Sequence, residues 1–256
     1  MIERFVALGD SFTEGVGDDD PAYPNGVRGW ADRVAEQLAT QQPALAYANL
    51  AVRGRLLPQV LAEQLDPALR MRPDLVTLYA GGNDLMRPKV DIDALAESYD
   101  EAVGKLAATG ATVVLFTGVD GVEDPVFRKM RGRTAIYNEH VRLIAARHGT
   151  LLVDMWAMRA LRDRRLWSAD RIHLNARGHT LVSAAVLEAL GVPHPGAAEL
   201  GPPELLSARA RRAQNLRWAR EHAVPWIRRR LRGESSGDAI SPKRPEPGPV
   251  LLPDHR

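Results

Sequence analysis

Residues 5–18 read FVALGDSFTEGVGD. The opening apolar run is short and continuous, as in a strand buried on both faces of a parallel sheet. It gives way at once to Gly9, Asp10 and Ser11, with further glycines at 15 and 17. A buried strand that ends this way either cradles a phosphate or presents an activated nucleophile, and the rest of the chain has to choose between them.

Apolar runs of strand length recur at residues 46–51, 75–79, 112–117 and 151–154. Helical spacing fills the intervals at 30–38, 56–65, 92–107 and 135–146, and returns at 176–190 after the fifth strand. Regular alternation of strand and helix predicts an α/β protein, a three-layer α/β/α sandwich around a central parallel sheet of about five strands, flavodoxin-like in type. In such sheets, sites form beyond the carboxyl ends of the strands. GDSFTEG, Arg53-Gly54-Arg55, AGGND at 80–84 and the turn at 117–120 follow the first four strands, so they should converge on one edge.

A serine hydroxyl is a weak nucleophile until a base takes its proton and donors stabilise the resulting oxyanion. SADRIHLNARGH, residues 168–179, sets Asp170 three residues before His173. That spacing lets the carboxylate hold one ring nitrogen while the other faces a nucleophile. Gly54 can bring a backbone N–H close to an oxyanion, and the Asn83 amide can add a second donor. Singly, each residue also has a structural use: Ser11 and Asn83 as turn or cap residues, Gly54 as relief for a tight bend, and His173 as a surface side chain beside a helix start. Together they would require four coincidences at one sheet edge.

GDSFTEG, the Gly54 of NLAVRG, GGND and DRIH, in that order, resemble the four sequence blocks of the SGNH (GDSL-type) hydrolase family over roughly residues 4–190. The resemblance implies Ser11 as nucleophile and oxyanion donor, Gly54 and Asn83 as further donors, His173 as general base and acid, and Asp170 as its orienting partner. It also implies hydrolysis of a small carboxylic ester through an acyl-enzyme, esterase- or lipase-like, with lysophospholipids, short acyl esters and acetylated sugars in range. No cofactor or metal is called for. Phe12 stands where many members have Leu, at a packing position, and His179 resembles a residue often found early in the family's last helix without being assigned to catalysis.

The rival readings meet specific obstacles. A phosphate loop lacks its Gly-Lys-Ser/Thr ending, and acidic residues 10, 14, 18, 19 and 20 would repel phosphate. A metal-dependent phosphoesterase needs a histidine where Phe12 stands. An α/β-hydrolase elbow needs glycine where Thr13 stands. A non-catalytic binding protein of the same fold has no need of a paired His173 and Asp170.

The 256 residues contain no cysteine, which excludes thiolate chemistry and disulfides. No long apolar run or signal-like start is present, so a soluble, cytoplasmic protein is expected. Residues 1–195 form the hydrolase-like domain, and 196–232 a basic, amphipathic helical extension in which Pro225 should kink the helix. Residues 204–232 hold nine arginines against two glutamates. The apolar face, with several alanines, is expected to pack on the α/β domain and leave the arginines solvated. The alternative is a helix that, with Trp218 and Trp226, makes a peripheral contact with anionic membrane or binds an acidic partner. No nucleic-acid motif accompanies this charge. The proline-rich segment 233–256 is expected to be disordered.

Overall fold

Phe5 and Ala7 of the first strand, β1 (Arg4–Gly9), enter one apolar layer, and Val6 and Leu8 enter the other. This is the two-residue period of a pleated strand with helices packed on both faces. The computed structural model describes residues 2–122, 127–202, 207–223, 236–250 and 252. After β1 come α1 (Ser11–Glu14), α2 (Gly29–Gln41), β2 (Ala46–Asn49), α3 (Leu57–Val60), α4 (Asp66–Arg70), β3 (Leu75–Tyr79) and α5 (Gly82–Leu85). Then follow α6 (Ile92–Ala107), β4 (Thr112–Phe116), α7 (Arg131–His148), β5 (Leu151–Val153), α8 (Ala176–Ala189), α9 (Ala208–Trp218) and β6 (Arg244–Pro249).

Among the described residues the sheet has six strands in the order β5-β4-β3-β1-β2-β6. β1 to β5 are mutually parallel, in flavodoxin-like order, and β6 runs antiparallel to β2. Between β1 and β3 the order of strands reverses, and this leaves a crevice at their carboxyl ends. Trp30 and Val34 of α2, with Val182 and Val186 of α8, close one face of the sheet. Tyr99 and Val103 of α6, with Val141 and Ile144 of α7, close the other. Each such large apolar side chain, taken fully from water, stabilises the fold by about 1.5–3 kcal/mol.

The helix expected over 56–65 is interrupted. α3 passes into a wider turn at Leu61–Leu65 before α4 begins. From that turn the buried Gln64 reaches β1, where its Oε1 accepts from the Gly9 N–H at 2.8 Å and its Nε2 donates to the Gly9 carbonyl at 2.9 Å. Insertions of this kind recur at functional sites, and this one clamps the strand end that leads to Ser11.

The proline-rich C-terminal segment departs from the expected disorder. Residues 244–249 form β6, paired with β2 through Ala46–Pro249, Tyr47–Gly248 and Asn49–Arg244. Proline tolerates this position because an edge strand bonds on one side only, so its missing N–H groups can face outward. The strand is anchored by Lys243, whose buried Nζ donates to Asp32 at 2.5 Å and to the carbonyls of Val27 and Arg28 at 3.1 and 2.7 Å. Long-range anchoring of this sort leaves no mark on local composition.

The basic extension is helical over α9, where, among the described residues of its apolar pattern, Ala213 and Leu216 are exposed, Leu216 by 65%. Trp218 and Asn215 reach the domain: the Trp218 indole N–H donates to the Asp170 carbonyl at 2.8 Å, and Asn215 Oδ1 accepts from Arg171. Trp218 is therefore turned towards the domain. Pro225 and Trp226, the kink and second anchor expected there, lie outside the described residues.

Candidate active site

Ser11 is the first residue of α1, directly after the cap formed by Asp10, whose Oδ1 accepts from the Phe12 N–H at 3.1 Å. A backbone N–H in this first turn has no partner within the helix, so Ser11 can offer its own to an anion. Glycine makes the turn possible. A Cβ at position 9 would stand 2.5 Å from the Tyr79 carbonyl, and one at position 17 would stand 2.2 Å from the Leu174 carbonyl. Gly17 thus lets the loop after α1 lie against the backbone that carries His173.

His173 and Asp170 occupy the loop before α8. Asp170 Oδ2 meets His173 Nδ1 at 2.6 Å. The other oxygen, Oδ1, accepts from the Ser168 hydroxyl at 2.6 Å, the Ile172 N–H at 2.9 Å and the His173 N–H at 3.1 Å. Burial acts to raise the Asp170 pKa, but the hydrogen bond and charge of His173, with Ser168 and Ile172, outweigh it and hold the carboxyl well below the usual carboxylate range. An ionised Asp170 fixes the proton of a neutral imidazole on Nδ1 and leaves Nε2 as an acceptor. Asn175 holds the loop from behind, capping α8 with its Oδ1 and donating to the carbonyls of Arg165 and Trp167 at 2.9 and 3.2 Å.

Ser11, Asn83 and His173 line one cavity of about 180 Å³. Its remaining wall is largely apolar, with Phe12, Leu85, Phe116, Val119, Met130 and Leu161 among the lining residues. Asp170 stands behind His173. Gly54, in the turn after β2 with a φ of +78°, is not among the described residues that line the cavity. It is tied to the site one residue later, where the Arg55 carbonyl accepts from Asn83 Nδ2 at 3.0 Å. The second hydrogen of that amide reaches Asp10 Oδ2 at 3.2 Å. Burial pushes the Asp10 carboxyl up to about 7.

Asp10 and Asp84 hold loops: Asp84 Oδ2 accepts from the Leu57 N–H at 2.9 Å, and Asp10 Oδ1 accepts from the Phe12 N–H. Two supports of the site escape sequence reasoning. Gln64 has no motif around it. The fully buried Glu14 takes the Arg53 N–H at 2.7 Å and Arg53 Nη2 at 2.6 Å, and so fixes the Gly54 turn. An acidic residue followed by glycine gives no hint of that partner. Among the described residues, no three His, Asp or Glu side chains are grouped so that they could hold a metal ion, and no helix is long and apolar enough to cross a membrane.

His179 is buried under the site. Its Nδ1 accepts from the Trp30 N–H at 3.2 Å, and Nε2 faces the Val16 carbonyl at 3.3 Å. Burial pushes its pKa down to about 3, against roughly 6.5 for a free imidazole. The folded protein therefore binds this proton less readily than the unfolded chain. The contribution of His179 to stability is full above about 6.5 and is lost as pH falls towards about 3. Asp10, and Asp32 with a pKa pushed up to about 6 by burial, act in the opposite sense, since they favour the fold most when protonated. Comparison with His179→Asn isolates the histidine. The stability advantage of wild type in urea unfolding should shrink from pH 7 to pH 5, and an advantage independent of pH would contradict this assignment.

A model of the GDSL-like Lipase/Acylhydrolase family matches residues 7–181. Among solved structures, LAE5, an alpha/beta hydrolase enzyme from the metagenome of Lake Arreo, Spain, is 26% identical, with a TM-score of 0.61 over 74% of this chain and 95% of that one. Axe2, an acetylxylan esterase from Geobacillus stearothermophilus, is 23% identical, with a TM-score of 0.60 over 75% of this chain and 95% of its own. A lipase/acylhydrolase from Enterococcus faecalis is 18% identical, with a TM-score of 0.60 over 73% and 95%. The last two identities bear on the fold alone. No curated protein matches the chain.

Proposed function

The chain belongs to the GDSL-like lipase/acylhydrolase family and is an ester hydrolase, and on that footing we propose that it cleaves carboxylic esters in two steps through an acyl group carried on Ser11. The observation that carries this reading is the 2.6 Å contact between Asp170 and His173 beside a cavity that Ser11 also lines. In the first step Ser11 Oγ attacks the ester carbonyl while His173 Nε2 takes its proton. The proton then passes to the departing alkoxide, which leaves as the alcohol. In the second step water, deprotonated by the same nitrogen, releases the acid and returns the proton to Ser11.

Negative charge on the carbonyl oxygen is met by the N–H of Ser11, the N–H of Gly54 and the Asn83 amide. The amide hydrogen now reaching Asp10 at 3.2 Å is the one released to the oxyanion, while the bond to the Arg55 carbonyl keeps the amide oriented. Asn83→Ala should lower kcat by about 10²- to 10³-fold with little change in KM. A loss confined to KM removes Asn83 from this role.

The apolar wall supports an acyl chain longer than acetyl. On p-nitrophenyl acetate, butyrate, hexanoate and decanoate, kcat/KM should peak at butyrate or hexanoate. Turnover of acetate alone would redirect the reading to a deacetylase, and absence of turnover on the whole panel would contradict the proposed activity.

A further inference from the structure

We propose that Trp218, in the extension beyond the family domain, is a positioning residue for the Asp170–His173 pair. The inference rests on the serine mechanism above, and Trp218 and Asn215 lie outside the 7–181 match.

Arg171, between Asp170 and the histidine, has a φ of +64°. That left-handed conformation is unfavourable for a side chain with a Cβ and persists where surrounding contacts hold it. Three contacts from α9 converge here. The Trp218 indole N–H donates to the Asp170 carbonyl at 2.8 Å. The Arg171 guanidinium lies 4.8 Å from the centre of the Trp218 ring, and its Nη1 donates to Asn215 Oδ1 at 2.7 Å.

Within the loop, the Arg171 N–H reaches the Ser168 carbonyl and the Ser168 N–H reaches the His173 carbonyl. Every one of these bonds passes through the segment that aims the carboxylate at the imidazole. The peptide that α9 grips is therefore the one whose rotation would carry Asp170 Oδ2 off His173 Nδ1. Small displacements of a catalytic group cost large factors in rate, whereas Trp218 is not among the described residues that line the cavity. Trp218 accordingly acts on turnover rather than on binding.

The test is steady-state kinetics of full-length Trp218→Phe, which keeps a ring over Arg171 and deletes the donor. Asn215→Ala serves as a second probe and Leu216→Ala, on the same helix, as a control. For Trp218→Phe we expect kcat to fall about tenfold with KM and the thermal midpoint unchanged. Asn215→Ala should move kcat in the same direction by a smaller factor, and Leu216→Ala should match wild type. A kcat for Trp218→Phe within twofold of wild type overturns the proposal, as does a change in KM alone. So does a rate loss that Leu216→Ala reproduces or that a lowered thermal midpoint accompanies. Failure of the underlying serine mechanism has a different signature, namely wild-type protein inert to a serine-directed fluorophosphonate.

Discussion

Ser11→Ala and His173→Ala are each expected to lower kcat by about 10³-fold or more, with the fold intact. Neither substitution removes a support of the structure. The Ser11 backbone stays in α1, whose cap is the Asp10 carboxyl. Without the imidazole, Asp170 Oδ1 still accepts from Ser168, Ile172 N–H and the N–H of residue 173. What disappears, on the proposed mechanism, is the nucleophile or the base that activates it. Because the two act as a unit, the double variant should be scarcely slower than either single one, and the remaining rate reflects substrate binding and the oxyanion donors alone. Purified Ser11→Ala that keeps most of its activity on the same ester, with an unchanged circular dichroism spectrum, would rule out the serine mechanism.

Asp170→Asn is expected to cost about 10³- to 10⁴-fold in kcat, although it changes only the identity of one atom. The amide oxygen can keep the bonds from Ser168, Ile172 and the residue 173 N–H. Its NH₂ then faces His173 Nδ1, where two donors would oppose each other. The ring responds by moving its proton to Nε2, which makes the nitrogen facing the cavity a donor and unable to accept from Ser11. Substrate contacts are untouched, so KM should change little. The loss should therefore appear equally in kcat and kcat/KM, and a selective rise in KM would place Asp170 in binding instead.

The parallel strands and the site carry different kinds of trace in the sequence. β1 to β5 are legible because strands dry on both faces must be apolar throughout, and the helices between them must repeat every three to four residues. The proposed catalytic side chains are legible because Ser11, Asn83 and the Asp170–His173 pair each sit in a short segment at the end of a strand or just before a helix. What is not legible depends on partners far away in the chain. Gln64 on Gly9, Glu14 on Arg53 and Lys243 on Asp32 are each decided by tertiary packing. β6 is the clearest case. Its alternating prolines look like those of an unstructured tail until β2 supplies an edge that asks for bonds on one side only. Gly54 illustrates a subtler limit: sequence identifies the turn, but the Glu14–Arg53 pair decides how that turn is held.

The proposed acyl-enzyme is tested most directly by intact-mass and peptide mass spectrometry of full-length protein treated with a fluorophosphonate. The account predicts one phosphonyl group on the peptide containing Ser11, absent in Ser11→Ala and greatly slowed in His173→Ala. Folded protein that hydrolyses esters yet carries no adduct, or carries it on another serine, would contradict it.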